Sequence, residues 1–418
     1  MFSHLHNVTT ISGCEVCGDE LPKPNLDLGL QPLCDDLIPL NSVAESKKYP
    51  TQIATCLRCL TSHQLHRVGK ELLFPSTYHY RPRFTQDVLN GMQDLVAECE
   101  MRFFPVAGKL VCDIGCNDGS LLSFFRDRRA ITAGIEPTGA CDDAIANGHR
   151  AFKEYLSVVV AQRVIATVGW PDVVTFTNVF AHIDSLADAI ASLKAMICER
   201  TLLVIENHYL GSVIARNQFD TFYHEHPRTY SFRSFEFIAR RLGGEVLHVS
   251  FPRRYGGNIR VFIGNFGGLT PVVGPTTLQP SGPEGEDGFI DGLSRMQTFV
   301  GDWQRETKTK LETLGRRGIR LYGKSFPGRA SILLNLLEFG SDTQPMIFEK
   351  PASPKIGYYA PGTRIEIASD ELWLRREIEP KAMLIWAWHI SEEVGGYMRA
   401  NGYRGHLYAP LPTFHEIL

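Results

Sequence analysis

Residues 109–120 read KLVCDIGCNDGS. Lys109 to Ile114 is an apolar run of strand length, and it ends on two glycines four positions apart, Gly115 and Gly119. Glycine at those positions lets the backbone turn from strand into helix while a ligand approaches without meeting a Cβ. Helical spacing starts at Leu121, and Ala130 to Ile135 is a second apolar run, so the stretch opens a βαβ unit. Val173 to Thr177 and Leu202 to Glu206 continue the alternation. The fold expected is α/β, a doubly wound sheet.

The spacing itself names the ligand class. Asp113-x-Gly115-x-x-x-Gly119 fits the acidic-x-Gly-x-x-x-Gly pattern of class I methyltransferases, whose cofactor is S-adenosylmethionine (SAM), and it lacks the GxGxxG of a pyrophosphate-binding turn. The second strand ends at Glu136, where a carboxylate can accept from both ribose hydroxyls. An ordinary strand-to-helix turn would account for the glycines alone; the acid on the next strand favours the cofactor. Asp113, Gly115, Asn117, Gly119 and Glu136 are therefore the expected cofactor residues. Asn178 joins them, with Phe180, near the cofactor's amino-acid tail and methyl group.

Upstream, Cys14 to about Phe74 is rich in turn formers and poor in helical periodicity. It carries Cys14-x-x-Cys17 and Cys56-x-x-Cys59, with 38 residues between the pairs. Two such pairs offer four soft ligands for a tetrahedral structural zinc ion, with no open position for catalysis. Redox dithiols and unliganded buried thiols are the alternatives, and Cys34 or His63 could replace one ligand. A helix is expected over Phe84 to Phe104. Downstream, Phe266 to Gly288 holds four prolines and six glycines and reads as a boundary. A helix from Phe289 to Leu314, a strand from Ile319 to Tyr322 and a helix from Ala330 to Leu337 then predict a second, smaller α/β domain. The expected division is 1–75 for zinc, 76–266 for SAM and 267–418 for a domain that helps bind substrate.

With 418 residues, 44% apolar and 21% charged, the composition is globular. A net charge of −3 argues against broad capture of nucleic acid or anionic lipid, though not against a local basic pocket. No run approaches the length of a membrane span, and Met1 to Gly13 lacks the basic and apolar marks of a secretory signal. The expectation is a cytoplasmic monomer or homodimer with no nucleic-acid or membrane partner.

One cluster suits proton transfer. Phe222-Tyr223-His224-Glu225-His226 follows Glu206-Asn207-His208-Tyr209, so several titratable groups gather near one sheet edge. A histidine is a base at neutral pH, and a tyrosine hydroxyl can hydrogen-bond a developing enolate oxygen. A metal reading is weaker, because residues two apart on a strand face opposite sides. An exposed polar loop is the plainer alternative.

Across nearly the whole chain, these motifs resemble the sugar C-methyltransferases that act on nucleotide-linked 4-keto-6-deoxyhexoses. The resemblance rests on the paired cysteines, Ile114-Gly115-Cys116-Asn117-Asp118-Gly119 and Tyr223-His224-Glu225-His226. It continues through Tyr255-Gly256-Gly257-Asn258-Ile259-Arg260, Tyr359-Ala360-Pro361-Gly362-Thr363 and Ala387-Trp388-His389. It implies C3-methylation through an enolate, with His226 as base, Tyr223 assisting, and His182 and Glu225 in the same catalytic set. It also implies substrate contacts from Tyr78, Tyr80, His208, Asn258 and Arg260. O- or N-methylation of another metabolite, and a non-enzymatic zinc-containing scaffold, are the competing functions. The chain departs from the family in one loop: where Tyr-Gly-Ala-x-Ala-Lys-Gly-Asn-Thr is expected, it has Tyr322-Gly323-Lys324-Ser325-Phe326-Pro327-Gly328-Arg329-Ala330.

Overall fold

The computed structural model describes residues 8–73, 83, 86–266, 285–351 and 353–417. Its centre is a seven-stranded sheet: β1 (Leu110–Ile114), β2 (Ile131–Ile135), β3 (Arg150–Phe152), β4 (Val173–Thr177), β5 (Leu202–His208), β6 (Glu245–Ser250) and β7 (Asn258–Gly264). The order is β6-β7-β5-β4-β1-β2-β3. The first five strands are parallel, while β7 is antiparallel to both β5 and β6. All five residues of β1 are buried, as expected for a central strand covered by helices on both faces. This is the class I methyltransferase fold.

The expected helix before the sheet runs Gln86–Arg102 and buries Val88, Met92, Leu95, Val96 and Cys99, one helical face. The helix Ser120–Asp127 begins directly after Gly119, whose φ is +77°. A Cβ there would lie 2.6 Å from the His149 ring and 3.3 Å from the Ala144 backbone. Gly119 is thus bare for close packing of helix on sheet.

The N-terminal segment is more ordered than its turn formers suggest. Its four-stranded antiparallel sheet runs Arg228–Thr229, Ser62–Gln64, Lys48–Thr55 and Leu26–Pro32, so its edge strand comes from the central domain. Strand Lys48–Thr55 is buried over most of both faces, which hides the alternation that marks a strand in sequence.

The C-terminal segment forms a second α/β layer. Five parallel strands, in the order His406–Ala409, Ala382–Ile385, Leu321–Lys324, Met346–Glu349 and Glu366–Ser369, carry antiparallel strands at both edges. One edge strand, Ile38–Pro39, belongs to the N-terminal segment. The first parallel strand falls two residues later than expected, because Lys324 is fully buried and paired with Asp370 (2.8 and 2.7 Å). The boundary-like residues 267–284 lie outside the described residues. One apolar cluster contains Leu26, Phe180, Trp303 and Leu333, so the segments share a core. Among the described residues, no helix is long and apolar enough to cross a membrane.

Candidate active site

The carboxyl ends of the central strands face those of the C-terminal sheet across a cavity of about 1030 Å³. Open α/β sheets bind ligands at such edges. This volume is at the upper end for a single small-molecule site.

On the central side, the loop after β1 supplies Gly115 and Asn117, both in the left-handed region (φ +71° and +48°). A Cβ on Gly115 would sit 2.5 Å from Val179. Glu136 lines the cavity, and its carboxylate accepts from the Asn117 and Thr138 amides (3.1 and 2.9 Å), leaving lone pairs for further donors. Asp113 lines the cavity from below, bonded by Thr175 Oγ1 (2.6 Å), and burial pushes its carboxyl up to about 7. Asn178 has φ +54° and accepts from Asn258 Nδ2 (3.2 Å). The Thr177 hydroxyl is buried with no protein partner among the described residues, a polar atom kept for a ligand. These residues fit SAM. Gly119 does not reach the cavity; its role is the helix packing described above.

The histidine cluster shares this side: His208 ends β5, His182 follows β4, and the 222–226 string joins them. Tyr223, Glu225, His226, His182 and His208 all line the cavity. The His226 ring centroid lies 4.1 Å from that of Tyr223, 4.6 Å from His182 and 5.3 Å from His208. His226 Nδ1 is 3.0 Å from the Thr221 carbonyl oxygen, which can only accept, so Nδ1 carries the proton and Nε2 the lone pair. Burial, then the neighbouring His182 and His208, hold His226 well below the usual histidine range. Burial alone takes His182 down to about 4, with Glu225 near it (4.0 Å). Burial raises the Tyr223 hydroxyl, helped by Glu225, and raises the Glu225 carboxyl, helped by Asp35. At neutral pH the wall thus presents uncharged imidazoles beside a protonated phenol. His224 turns away and meets Thr51 Oγ1 at 3.2 Å, so His224 and His226 do point apart, in a turn and not a strand.

Two expected substrate residues lie elsewhere. Arg260 is buried between Glu206 (2.8 Å) and Glu98 (2.6 Å), and Asn258 Nδ2 donates to Glu206 (2.9 Å) as well as Asn178. Neither lines the cavity; they brace β5 against β7 behind it. Tyr78 and Tyr80 lie outside the described residues. Residues that sequence reasoning missed include Thr177, Asp220 and Asp35, while Trp388 had a signal in the string Ala387-Trp388-His389. Arg329 had one signal, its place in the departing loop.

Away from the cavity, Cys14, Cys17, Cys56 and Cys59 bring their sulfurs within 4.8 Å of one another. Tetrahedral zinc–thiolate bonds of about 2.3 Å place sulfurs roughly 3.8 Å apart, so the set fits zinc. Among the described residues the group that could hold the ion is these four cysteines, without His63, whose Nε2 is 3.3 Å from Cys14 Sγ and whose Nδ1 is 3.6 Å from Glu15. Cys34 instead lines the cavity, 3.3 Å from Ser331 Oγ. Glu15 also receives Arg67 and Arg228 (2.7 Å to the latter), and Gln64 Nε2 donates to the Tyr223 carbonyl (2.5 Å). The zinc module therefore grips the segment that carries Tyr223 and His226.

Three family models match in order: a zinc binding domain over residues 14–74, a methyltransferase domain over 84–249 and a C-methyltransferase C-terminal domain over 255–412. The C-methyltransferase NovU of Streptomyces niveus is 24% identical over 401 residues, covering 93% of this chain and 92% of NovU. Among solved structures, SAM-bound magnesium protoporphyrin IX methyltransferase (ChlM) from Synechocystis is 17% identical, covers 43% of this chain and 78% of its own, and has a TM-score of 0.31. An O-methyltransferase family protein from Burkholderia thailandensis is 13% identical over 44% of this chain and 57% of its own, with a TM-score of 0.33. With the three domain matches in order and a SAM-fitting loop at the cavity, the chain is a SAM-dependent C-methyltransferase with an N-terminal zinc-binding module.

Proposed function

We propose that the chain methylates C3 of a nucleotide-linked 4-keto-6-deoxy sugar through an enolate, giving a branched-chain sugar. The observation that carries this reading is the His226 ring, held with Nε2 unprotonated, at a cavity shared with the SAM loop. A carbon acceptor has no lone pair to attack with, so a proton must first leave it. A carbonyl next to that carbon makes the removal feasible for an imidazole.

In this account His226 Nε2 takes the C3 proton. The C–H electron pair becomes the C3–C4 double bond, and charge moves onto O4. Tyr223, kept protonated by burial, donates to that oxygen, and Glu225 supports the cluster beside neutral His182. SAM supplies the electrophilic methyl and leaves as S-adenosylhomocysteine. Gly115, Asn117, Glu136 and Asn178 hold the donor and Asp113 supports their loop, so that proximity supplies much of the rate. His208 and the C-terminal wall face the sugar. The same reading divides the chain at 1–75, 76–266 and 267–418 and keeps the enzyme in the cytoplasm.

The test is His226→Ala beside Tyr223→Phe. Loss of a general base is expected to lower kcat by roughly 10²–10⁴-fold and to abolish deuterium washout from the ketone α-carbon. SAM binding by calorimetry should persist in both. Retained washout in His226→Ala would remove it as the base.

A further inference from the structure

The departing loop reaches back to the base. Arg329 follows the first strand of the C-terminal sheet, at the place where the loop pattern of the resembled family has Asn, and it is 8% exposed. Its guanidinium grips Asp220 with two bonds, Nε to Oδ2 (2.8 Å) and Nη2 to Oδ1 (2.6 Å). The same Nη2 donates to Thr221 Oγ1 (2.8 Å). Trp388 Nε1 donates to Asp220 Oδ2 (2.8 Å), so two loops of the C-terminal sheet converge on one fully buried carboxylate. The residue held beside it, Thr221, owns the carbonyl that receives the His226 Nδ1 proton (3.0 Å).

We infer that Arg329 is a positioning residue: by clamping Asp220 and Thr221 it aims the Thr221 carbonyl at His226 Nδ1, and so fixes the tautomer in which Nε2 is the base. This rests on His226 being the base. The planar fork is required, because the clamp spans a carboxylate and a hydroxyl at once; a lysine ammonium is a point charge on a flexible stem.

The test reads the tautomer directly and needs no substrate. Holoenzyme labelled with ¹⁵N-histidine is compared as wild type, Arg329→Lys, Arg329→Met and Trp388→Phe, with His226 assigned by its loss in His226→Asn. Wild type is expected to show His226 wholly as the Nδ1–H form. Arg329→Lys and Arg329→Met are expected to show a mixture with the Nε2–H form, with Trp388→Phe intermediate. SAM calorimetry on each variant checks the fold, and if Arg329→Met does not bind SAM, Arg329→Lys decides. A His226 signal unchanged in Arg329→Lys and in every folded variant overturns the proposal. With dTDP-4-keto-6-deoxyglucose as the acceptor probe, Arg329→Lys should lower kcat more than tenfold with KM little changed. The reverse split, KM raised and kcat kept, would make Arg329 a substrate contact instead. If the tautomer responds but this sugar does not react even in wild type, the sugar assignment falls and the clamp stands.

Discussion

Replacing Glu206 with Gln removes one negative charge from a place where two positive charges need it. Glu206 is completely buried on β5 and accepts from Arg254 Nε (2.6 Å), Arg260 Nε (2.8 Å) and Asn258 Nδ2 (2.9 Å). At an effective dielectric of about 20, charges roughly 4 Å apart attract by about 4 kcal/mol. Arg260 keeps Glu98 after the change, and Arg254 keeps the Val88 carbonyl (3.0 Å). Breaking a buried pair from one side costs about 3–5 kcal/mol, and that is the loss expected for Glu206→Gln at pH 7. Urea unfolding of wild type, Glu206→Gln, Arg254→Met and the double variant measures it, with a coupling of about 2 kcal/mol or more between the two sites. The pH dependence has a definite sign. Arg254 and Arg260 outweigh burial and hold the Glu206 carboxyl below 4.5, so its stabilisation is fully present above pH 4.5 and fades as the pH falls below it. The gap between wild type and Glu206→Gln should therefore be flat from pH 8 to 5. A single-variant loss under about 1 kcal/mol, or a gap that changes across neutral pH, would refute the electrostatic account of this network.

Gly115→Ala and Gly119→Ala separate ligand approach from packing. Each pays about 1–2 kcal/mol for a positive φ, but only the Gly115 change pushes on Val179 at the cavity, so it should weaken SAM by about tenfold or more in calorimetry while Gly119→Ala mainly lowers the melting temperature. Chelating zinc should unfold the N-terminal sheet and release the Tyr223 carbonyl from Gln64 and Arg228 from Glu15; circular dichroism and washout activity should fall together and return with zinc. His182, His224 and His389, each held near 4 chiefly by burial, stay neutral in the fold and charge on unfolding below 6.5. Stability should drop by about 1.4 kcal/mol per histidine between pH 7.5 and 5.5, read as a falling urea midpoint. The rate should lose nothing to His226 protonation between pH 8 and 6.5, because His226 stays neutral there.

What could be read from the sequence was local. The strand-glycine-glycine-helix step at 110–127 is contiguous, so its periodicity and spacing placed the central sheet and most of the cofactor wall. Tyr223 to His226 is likewise one short string, and the two CxxC pairs declare their ligands by spacing. What depended on long-range pairing stayed hidden. Arg228–Thr229 completes a sheet begun at Leu26, and Ile38–Pro39 edges a sheet whose other strands lie beyond residue 320, so neither looks like a strand in its own neighbourhood. The family resemblance implies substrate contacts from Asn258 and Arg260; only the pairing of β7 with β5 shows that they face Glu206. Asp220 and Arg329 are 109 residues apart, and nothing local marks them as partners.

The central claim, methyl transfer to carbon through an enolate, is tested most directly by mass spectrometry of the purified enzyme. It would be incubated with SAM and a panel of nucleotide-linked 4-keto-6-deoxy sugars, in ordinary and deuterated water. The account predicts a product carrying one new methyl on C3, with deuterium entering unreacted sugar at C3 in wild type and not in His226→Ala. A methyl group found on oxygen or nitrogen, with no exchange at the α-carbon, would contradict it.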